Sequence, residues 1–143
     1  MRFGGHQTFS IREGWLHKGL KTIKENPERL TDEHAADWLG VGRNMAKSIN
    51  HWLVATGLAR EVKSKGVTRL EISELGELIW EKDPYFLEIG TIWALHVNLV
   101  HNDDYAASWV WFFNHSSLNQ FERAACIENI SEHLAILGGR MPS

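Results

Sequence analysis

The chain has 143 residues, of which 43% are hydrophobic and 23% are charged, and its formal net charge is -3. This composition excludes a disordered chain and provides enough apolar residues for one substantial core. The single cysteine, Cys126, cannot form an internal disulfide or a thiolate cluster, which favours a reducing compartment. The polar amino terminus lacks a secretory signal, and the apolar stretch 85–100 is too short to span a membrane. We therefore expect a globular cytoplasmic domain.

Charge is distributed unevenly along this chain. Residues 1–69 carry 12 Lys and Arg against 7 Asp and Glu, whereas residues 70–143 carry 3 against 11. A basic half can face an anionic partner while the acidic half is repelled by it, and nucleic acid is such a partner. The alternative is two ordinary solvated faces of opposite sign that take part in self-association.

Helical signals dominate the first forty residues. Ser10 and Glu13 have the spacing of a capping box and predict a first helix over about 11–25. Thr31, followed by acidic residues, predicts the start of a second helix that ends at the glycine turn 40–42.

A third helix is predicted over 43–57, with Gly57 at its carboxyl end. Apolar residues recur on one side at helical spacing: Met45, Ile49, Trp52 and Leu53. Polar or cationic residues are predicted on the opposite side: Arg43, Asn44, Lys47, Ser48 and His51. One side of this helix is thus expected to pack and the other to offer hydrogen-bond donors.

A hairpin is predicted next, because two short stretches rich in Val, Ile, Leu and Thr flank the basic segment 63–66. Ser73 then predicts the cap of a helix over 74–82. Two helices joined by a short glycine turn and followed by a hairpin are typical of a winged helix-turn-helix.

The remaining residues predict three more helices. The first follows Asp83-Pro84 and extends to about Val100, the second follows 102–104, and the third covers 121–137. The expected fold is mainly α, with a winged helix-turn-helix and a small two-stranded wing followed by an all-helical subdomain. We expect 1–82 to hold the amino-terminal segment and the winged helix. Residues 83–143 are expected to form a tryptophan-rich subdomain that shares its core, so that the chain is one compact unit.

In a DNA complex, the third helix would read the major groove through the polar set named above. The wing residues Lys63, Lys65 and Arg69 would contact phosphate. A winged helix can also assemble with other protein subunits without touching DNA, and this alternative stays open. His101, Asp103 and Asp104 are close together, but helix capping explains the acidic residues, so no metal site is predicted.

Three long segments, FGGHQTFSIREGWLHKGL, WLGVGRNMAKSINHWLVATGL and LEISELGELIWEKDPYFLE, carry a family resemblance. Together they resemble a bacterial domain-of-unknown-function family that is encoded beside DNA phosphorothioation genes and includes the SspB-like component of the Ssp modification and antiphage system. The resemblance covers most of residues 3–113, and residues 115–143 fit the pattern least. Family members are about twice as long, so the chain resembles their amino-terminal part.

The resemblance implies a role in phosphorothioation and phage defence, with double-stranded DNA and other phosphorothioation proteins as partners. It also implies possible DNA-nicking activity, for which His6, Gln7 and Arg12 are the candidate residues that position a phosphate. No cofactor is expected, apart from a divalent metal if the chain nicks DNA. The apolar second half makes a homodimer plausible.

Overall fold

The computed structural model describes residues 5–31, 33–64, 66–117 and 119–136. Within these ranges the chain forms seven helices and one two-stranded antiparallel sheet, which confirms the expected mainly α fold with a small sheet. The elements in chain order are α1 (Trp15–Glu25), α2 (Ala35–Leu39), α3 (Arg43–Ala55), β1 (Ala59–Ser64), β2 (Val67–Ile72), α4 (Glu74–Lys82), α5 (Ile89–Val100), α6 (Ala107–Asn114) and α7 (Arg123–Ile136). Among the described helices, none combines the length and apolar character needed to cross a bilayer.

The first two helices start later than the sequence predicts. α1 begins at Trp15 after Gly14, whose backbone is left-handed (φ 77°), and no side chain caps it. The prediction of a capping box at Ser10 and Glu13 is therefore wrong. The reason is that the preceding segment packs on α3 instead of continuing the helix: the Phe9 carbonyl accepts a hydrogen bond from Trp52 Nε1 at 3.1 Å. α2 similarly begins at Ala35 and has only five residues.

α3 forms the centre of the core; it begins at Arg43 as predicted and ends at Ala55, two residues before the predicted end. It contacts α1, α2 and β1, so it is packed on three sides. Ile49 and Leu53 are fully buried, together with Leu20 of α1 and Leu58. Gly57 follows the end of α3 in the left-handed conformation (φ 76°) that is unfavourable for residues with a Cβ.

The last pair of the hairpin joins Ser64 and Val67, and Gly66 beside it has a left-handed backbone (φ 81°). Leu70 is buried and anchors the hairpin to the core. Ser73 caps α4 as predicted, because its Oγ accepts the backbone N–H of Gly76 at 3.0 Å.

The second half differs from expectation at the helix starts. The Asp83 carboxylate accepts the N–H groups of Leu87 and Glu88, which orders the loop after α4 and delays α5 until Ile89. α6 begins at Ala107, later than the predicted cap at 102–104. α7 falls inside the predicted range 121–137, although Leu137 lies outside the described residues.

α5 and α6 are connected to the first half through the core. Leu95, Leu99 and Ala106 belong to the same buried cluster as the side chains of α1, α2 and α3. The division into 1–82 and 83–143 stays a prediction.

Candidate nucleic-acid interface

A groove of about 900 Å³ lies between α2, α3 and the tip of the hairpin. We call it the α3–hairpin groove. Arg43, Lys47 and Asn50 line it from α3, and residues 66–68 line it from the hairpin. The α2 side supplies Glu33, His34 and Asp37, so the groove has a cationic wall and an acidic wall.

Arg43, Asn44 and Lys47 are exposed, as the sequence predicts. Arg43 and Lys47 form no ion pair with any residue that the structure describes. Their charges are therefore available to an anionic ligand.

Ser48 does not lie on the exposed side of α3, and its predicted placement is wrong. The residue is fully buried, and its Oγ has no hydrogen-bond partner among the described residues. Because α3 is packed on three sides, its buried arc is wider than the stripe of large apolar residues and takes in this small polar one.

His51 is half-buried and does not line the groove; it lies instead next to the amino-terminal segment, in a separate cavity. Its ring lies 5.9 Å from the ring of His6 and 5.9 Å from that of Tyr105, measured between centroids. The sequence predicted His51 as an open donor, whereas the structure places it in an aromatic contact.

The cationic residues of the hairpin are split between its two faces. Lys63 pairs with Thr68, and Val62 pairs with Arg69, so that Lys63 and Arg69 point to opposite sides of the sheet. Both residues are exposed, but Arg69 forms an ion pair with Glu71 at 2.9 Å, whereas Lys63 has no ion pair among the described residues. The third predicted wing residue, Lys65, lies outside the described residues.

A second cavity, of about 310 Å³, lies where the amino-terminal segment meets α3 and α6. We call it the N-terminal cleft. It is lined by His6, Thr8, Ser10, His51, Trp52, Tyr105, Ala106, Ala107, Ser108 and Trp109. The structure thus brings together His6 and His51, which the sequence placed in separate roles.

The backbone that holds His6 is unusual. Gln7 and Thr8 both have left-handed φ angles, 52° and 67°, which are rare for non-glycine residues and rarest for β-branched ones. Gly5 lies against His51, and a Cβ added there would be 2.4 Å from its Nδ1. Any residue with a Cβ at this position would force the imidazole or the chain to shift.

The other two phosphate-positioning candidates do not line this cleft. Gln7 contributes its strained backbone but is not among the lining residues. The Arg12 guanidinium lies over the rings of Phe9 and Trp15, 5.4 Å from each centroid. Arg12 is therefore not one of the residues that line the cleft with His6.

An exposed apolar face on α5 and α6 is a feature that sequence reasoning did not assign to particular residues. We call it the α5–α6 face and define it by Ile89, Ile92, Trp93, Val97 and Phe113, each at least half exposed. The sequence signal was the complete absence of Asp, Glu, Lys and Arg from both helices. His96 lies between Trp93 and Phe113, with ring centroids 5.6 and 4.6 Å away.

No three His, Cys, Asp or Glu side chains converge anywhere in the described ranges. His115 and His133 stack at 5.1 Å, but no third ligand joins them within those ranges.

Two solved structures are similar to the chain over nearly its whole length. A crystal structure of magnesium ion-bound SspB matches with a TM-score of 0.87 and 28% sequence identity, covering 97% of this chain and 44% of that one. Another SspB crystal structure matches with a TM-score of 0.86 and 29% identity, covering 97% and 45%. The chain spans less than half the length of these neighbours.

The resemblance to the SspB-like family is confirmed by these similarities. Among curated proteins, none gives a significant match. The family described as "Protein of unknown function (DUF4007)" matches residues 3–140. Because this match covers almost the entire sequence, the chain belongs to the DUF4007 family.

Proposed function

We propose that the chain is a winged-helix DNA-binding domain of a cytoplasmic protein in a DNA phosphorothioation and phage-defence system. The observation that carries this proposal is the exposed pair of cations, Arg43 and Lys47, on the wall of the α3–hairpin groove. The order α2, three-residue turn, α3 and hairpin supports this proposal, because it is typical of a winged helix-turn-helix. Similarity to SspB supports the phosphorothioation context.

The amino-terminal half of α3 supplies the base contacts in this proposal. Arg43, Asn44 and Lys47 are the side chains that reach base edges, since Arg and Lys pair well with guanine and Asn with adenine. Ser48 drops out of the set because it is buried, and His51 drops out because it faces the N-terminal cleft.

The hairpin supplies phosphate contacts, with Lys63 as the exposed cation that has no ion pair among the described residues. Glu33 and Asp37 on the opposite wall of the groove repel phosphate. The negatively charged strand therefore follows the α3 and hairpin side, which fixes the orientation of the duplex.

The test is fluorescence anisotropy of a labelled duplex at several salt concentrations between about 50 and 200 mM. Each phosphate contact contributes a slope of about -0.9 to log affinity against log salt. The double variant Arg43→Ala/Lys47→Ala is expected to weaken binding and to flatten this slope.

Lys21→Ala is the matched control, because Lys21 is an exposed cation on α1 that lies near Glu25, 3.9 Å away, and does not line the groove. It should leave both affinity and slope close to those of the unmodified chain. An unchanged slope in the double variant, or no duplex binding at the lowest salt, would overturn the proposal.

A second candidate function is assembly, and the α5–α6 face favours it. Soluble monomers rarely expose a contiguous apolar surface of this kind. The partner that fits is a second copy of this chain. A face without charged groups is complementary to an identical face, because neither copy has to supply a charge of opposite sign. Sedimentation equilibrium should then show a dimer that Trp93→Glu dissociates; a monomer at high concentration would reject this function.

A further inference from the structure

The N-terminal cleft lies on the continuation of the proposed DNA-reading side of α3. His51 follows Lys47 by one helical turn, which advances it about 6 Å along the helix axis. A strand held by Arg43 and Lys47 would therefore reach the mouth of the cleft by extending one turn further.

The walls of the cleft are aromatic and carry hydrogen-bonding groups. Trp52, Tyr105 and Trp109 supply rings, and the His51 ring lies 5.3 Å from that of Trp52. The hydroxyl groups of Thr8, Ser10 and Ser108 and the imidazole of His6 supply donors and acceptors.

No Lys, Arg, Asp or Glu is among the described residues that line the cleft. A bound phosphate would therefore lack a permanently charged partner there, which argues against an anion as the ligand. Flat, uncharged rings with hydrogen-bonding edges are the groups that stack on aromatic walls, and nucleobases are of this kind.

We propose that the N-terminal cleft binds one unstacked nucleobase of DNA, an inference that rests on the proposed DNA-binding function. A cavity of about 310 Å³ suits a single base and is too small for a base pair. The strained turn at Gln7 and Thr8 holds His6 at the wall, and such strain persists where a site requires it.

The experiment compares three labelled duplexes of the same sequence: fully paired, with one unpaired thymine, and with an abasic nucleotide in place of that thymine. The unpaired thymine should bind about 5- to 100-fold more tightly than the paired duplex, the gain expected from stacking one base. The abasic duplex should lose that gain. It bends like the duplex with the unpaired thymine but has no base to insert into the cleft.

Tyr105→Leu removes one wall of the cleft and is expected to abolish the preference for the unpaired thymine. Tyr85→Leu is its matched control, because Tyr85 is two-thirds exposed and stacks on His17 away from the cleft. If Tyr105→Leu does not fold, Trp109→Leu and the thymine-against-abasic comparison decide the question.

The outcomes separate this inference from the function on which it rests. Equal affinity for all three duplexes, with normal salt-dependent binding, would overturn the proposed base site in the cleft and would not affect the proposed duplex interface. Tight binding of the thymine bulge that Tyr105→Leu and Trp109→Leu both leave unchanged would also overturn it. Loss of binding to all three duplexes would overturn both.

Discussion

The side-chain amide of Asn98 donates a hydrogen bond from Nδ2 to the backbone carbonyl of Thr56 at 2.8 Å. Asn102 makes the equivalent bond to the carbonyl of Ala55 at 3.1 Å. The last carbonyls of a helix have no partner within it, so α5 and the turn after it complete the carboxyl end of α3. The second half of the chain thus stabilises the helix that carries the candidate DNA contacts.

We expect Asn98→Ala to lower the free energy of unfolding by about 1–3 kcal/mol, because the Thr56 carbonyl loses its side-chain partner. Asn129→Ala is the control: this exposed residue donates a similar bond to Ala125 within α7. Urea denaturation should show a change of less than about 0.5 kcal/mol for the control. Equal effects in the two variants would contradict the role of Asn98.

Ser48→Ala should stabilise the protein by about 1 kcal/mol, since it removes a buried hydroxyl without a partner in the described structure and introduces a better helix former. Ser131→Ala is the matched change, because the Ser131 hydroxyl donates to the Ile127 carbonyl at 2.6 Å. It should be close to neutral. Ser48→Ala should also leave duplex affinity unchanged. Weaker DNA binding by this variant would show that Ser48 belongs to the proposed interface.

Asp83 makes the stability of the fold depend on pH in the acidic range. Burial of the carboxyl raises its pKa, but hydrogen bonds from the Leu87 and Glu88 N–H groups and the Thr91 hydroxyl lower it more, to below the ordinary value of 3.8. A lowered folded-state pKa contributes stability that is complete above the unfolded-state pKa and is lost as the pH falls through the folded-state value.

The variant Asp83→Asn should therefore be less stable than the unmodified chain at pH 7, and this difference should shrink as the pH falls below about 4. Urea denaturation at pH 7 and pH 3 measures both differences. A difference that is the same at the two pH values would show that the charge of Asp83 is not what orders the loop.

Gly76→Ala should be severely destabilising, by about 3 kcal/mol. Its Cβ would lie 2.2 Å from the carbonyl oxygen of Leu58, which is itself held by the Ser73 N–H at 3.0 Å. Gly90→Ala is the control, because nothing lies within 4 Å of a Cβ at that position in α5. It should raise stability by up to about 1 kcal/mol, and thermal denaturation of both variants distinguishes the two environments.

The parts of the fold that could be predicted depend on chemistry between near neighbours. Ser73 caps α4, Gly57 ends α3, and Gly66 lies in the hairpin turn, because each acts within a few residues of itself. The start of α1 could not be predicted, because a distant residue decides it: Trp52 Nε1 donates a hydrogen bond to the Phe9 carbonyl. The start of α5 was misplaced although its contact is local, because the Asp83 carboxylate orders the loop before α5 and does not cap the helix itself.

The candidate sites divide in the same way. Arg43, Asn44 and Lys47 were predicted correctly as exposed, since the helical period alone places them on the outer side of α3. The predictions that Ser48 and His51 are open polar groups were wrong, because the environment of these residues depends on which elements cover α3. The N-terminal cleft could not be predicted, because its residues come from three segments separated by more than forty positions.

The hairpin carries two of its three described cations, Lys63 and Arg69, on opposite faces. In the proposed complex each face would meet a different phosphate strand, so both cations are satisfied only when the strands lie a suitable distance apart. That distance is the width of the minor groove, which is narrow in A-tracts and varies with base sequence. If the proposed function holds, we therefore expect the hairpin to discriminate between DNA sequences without contacting a base.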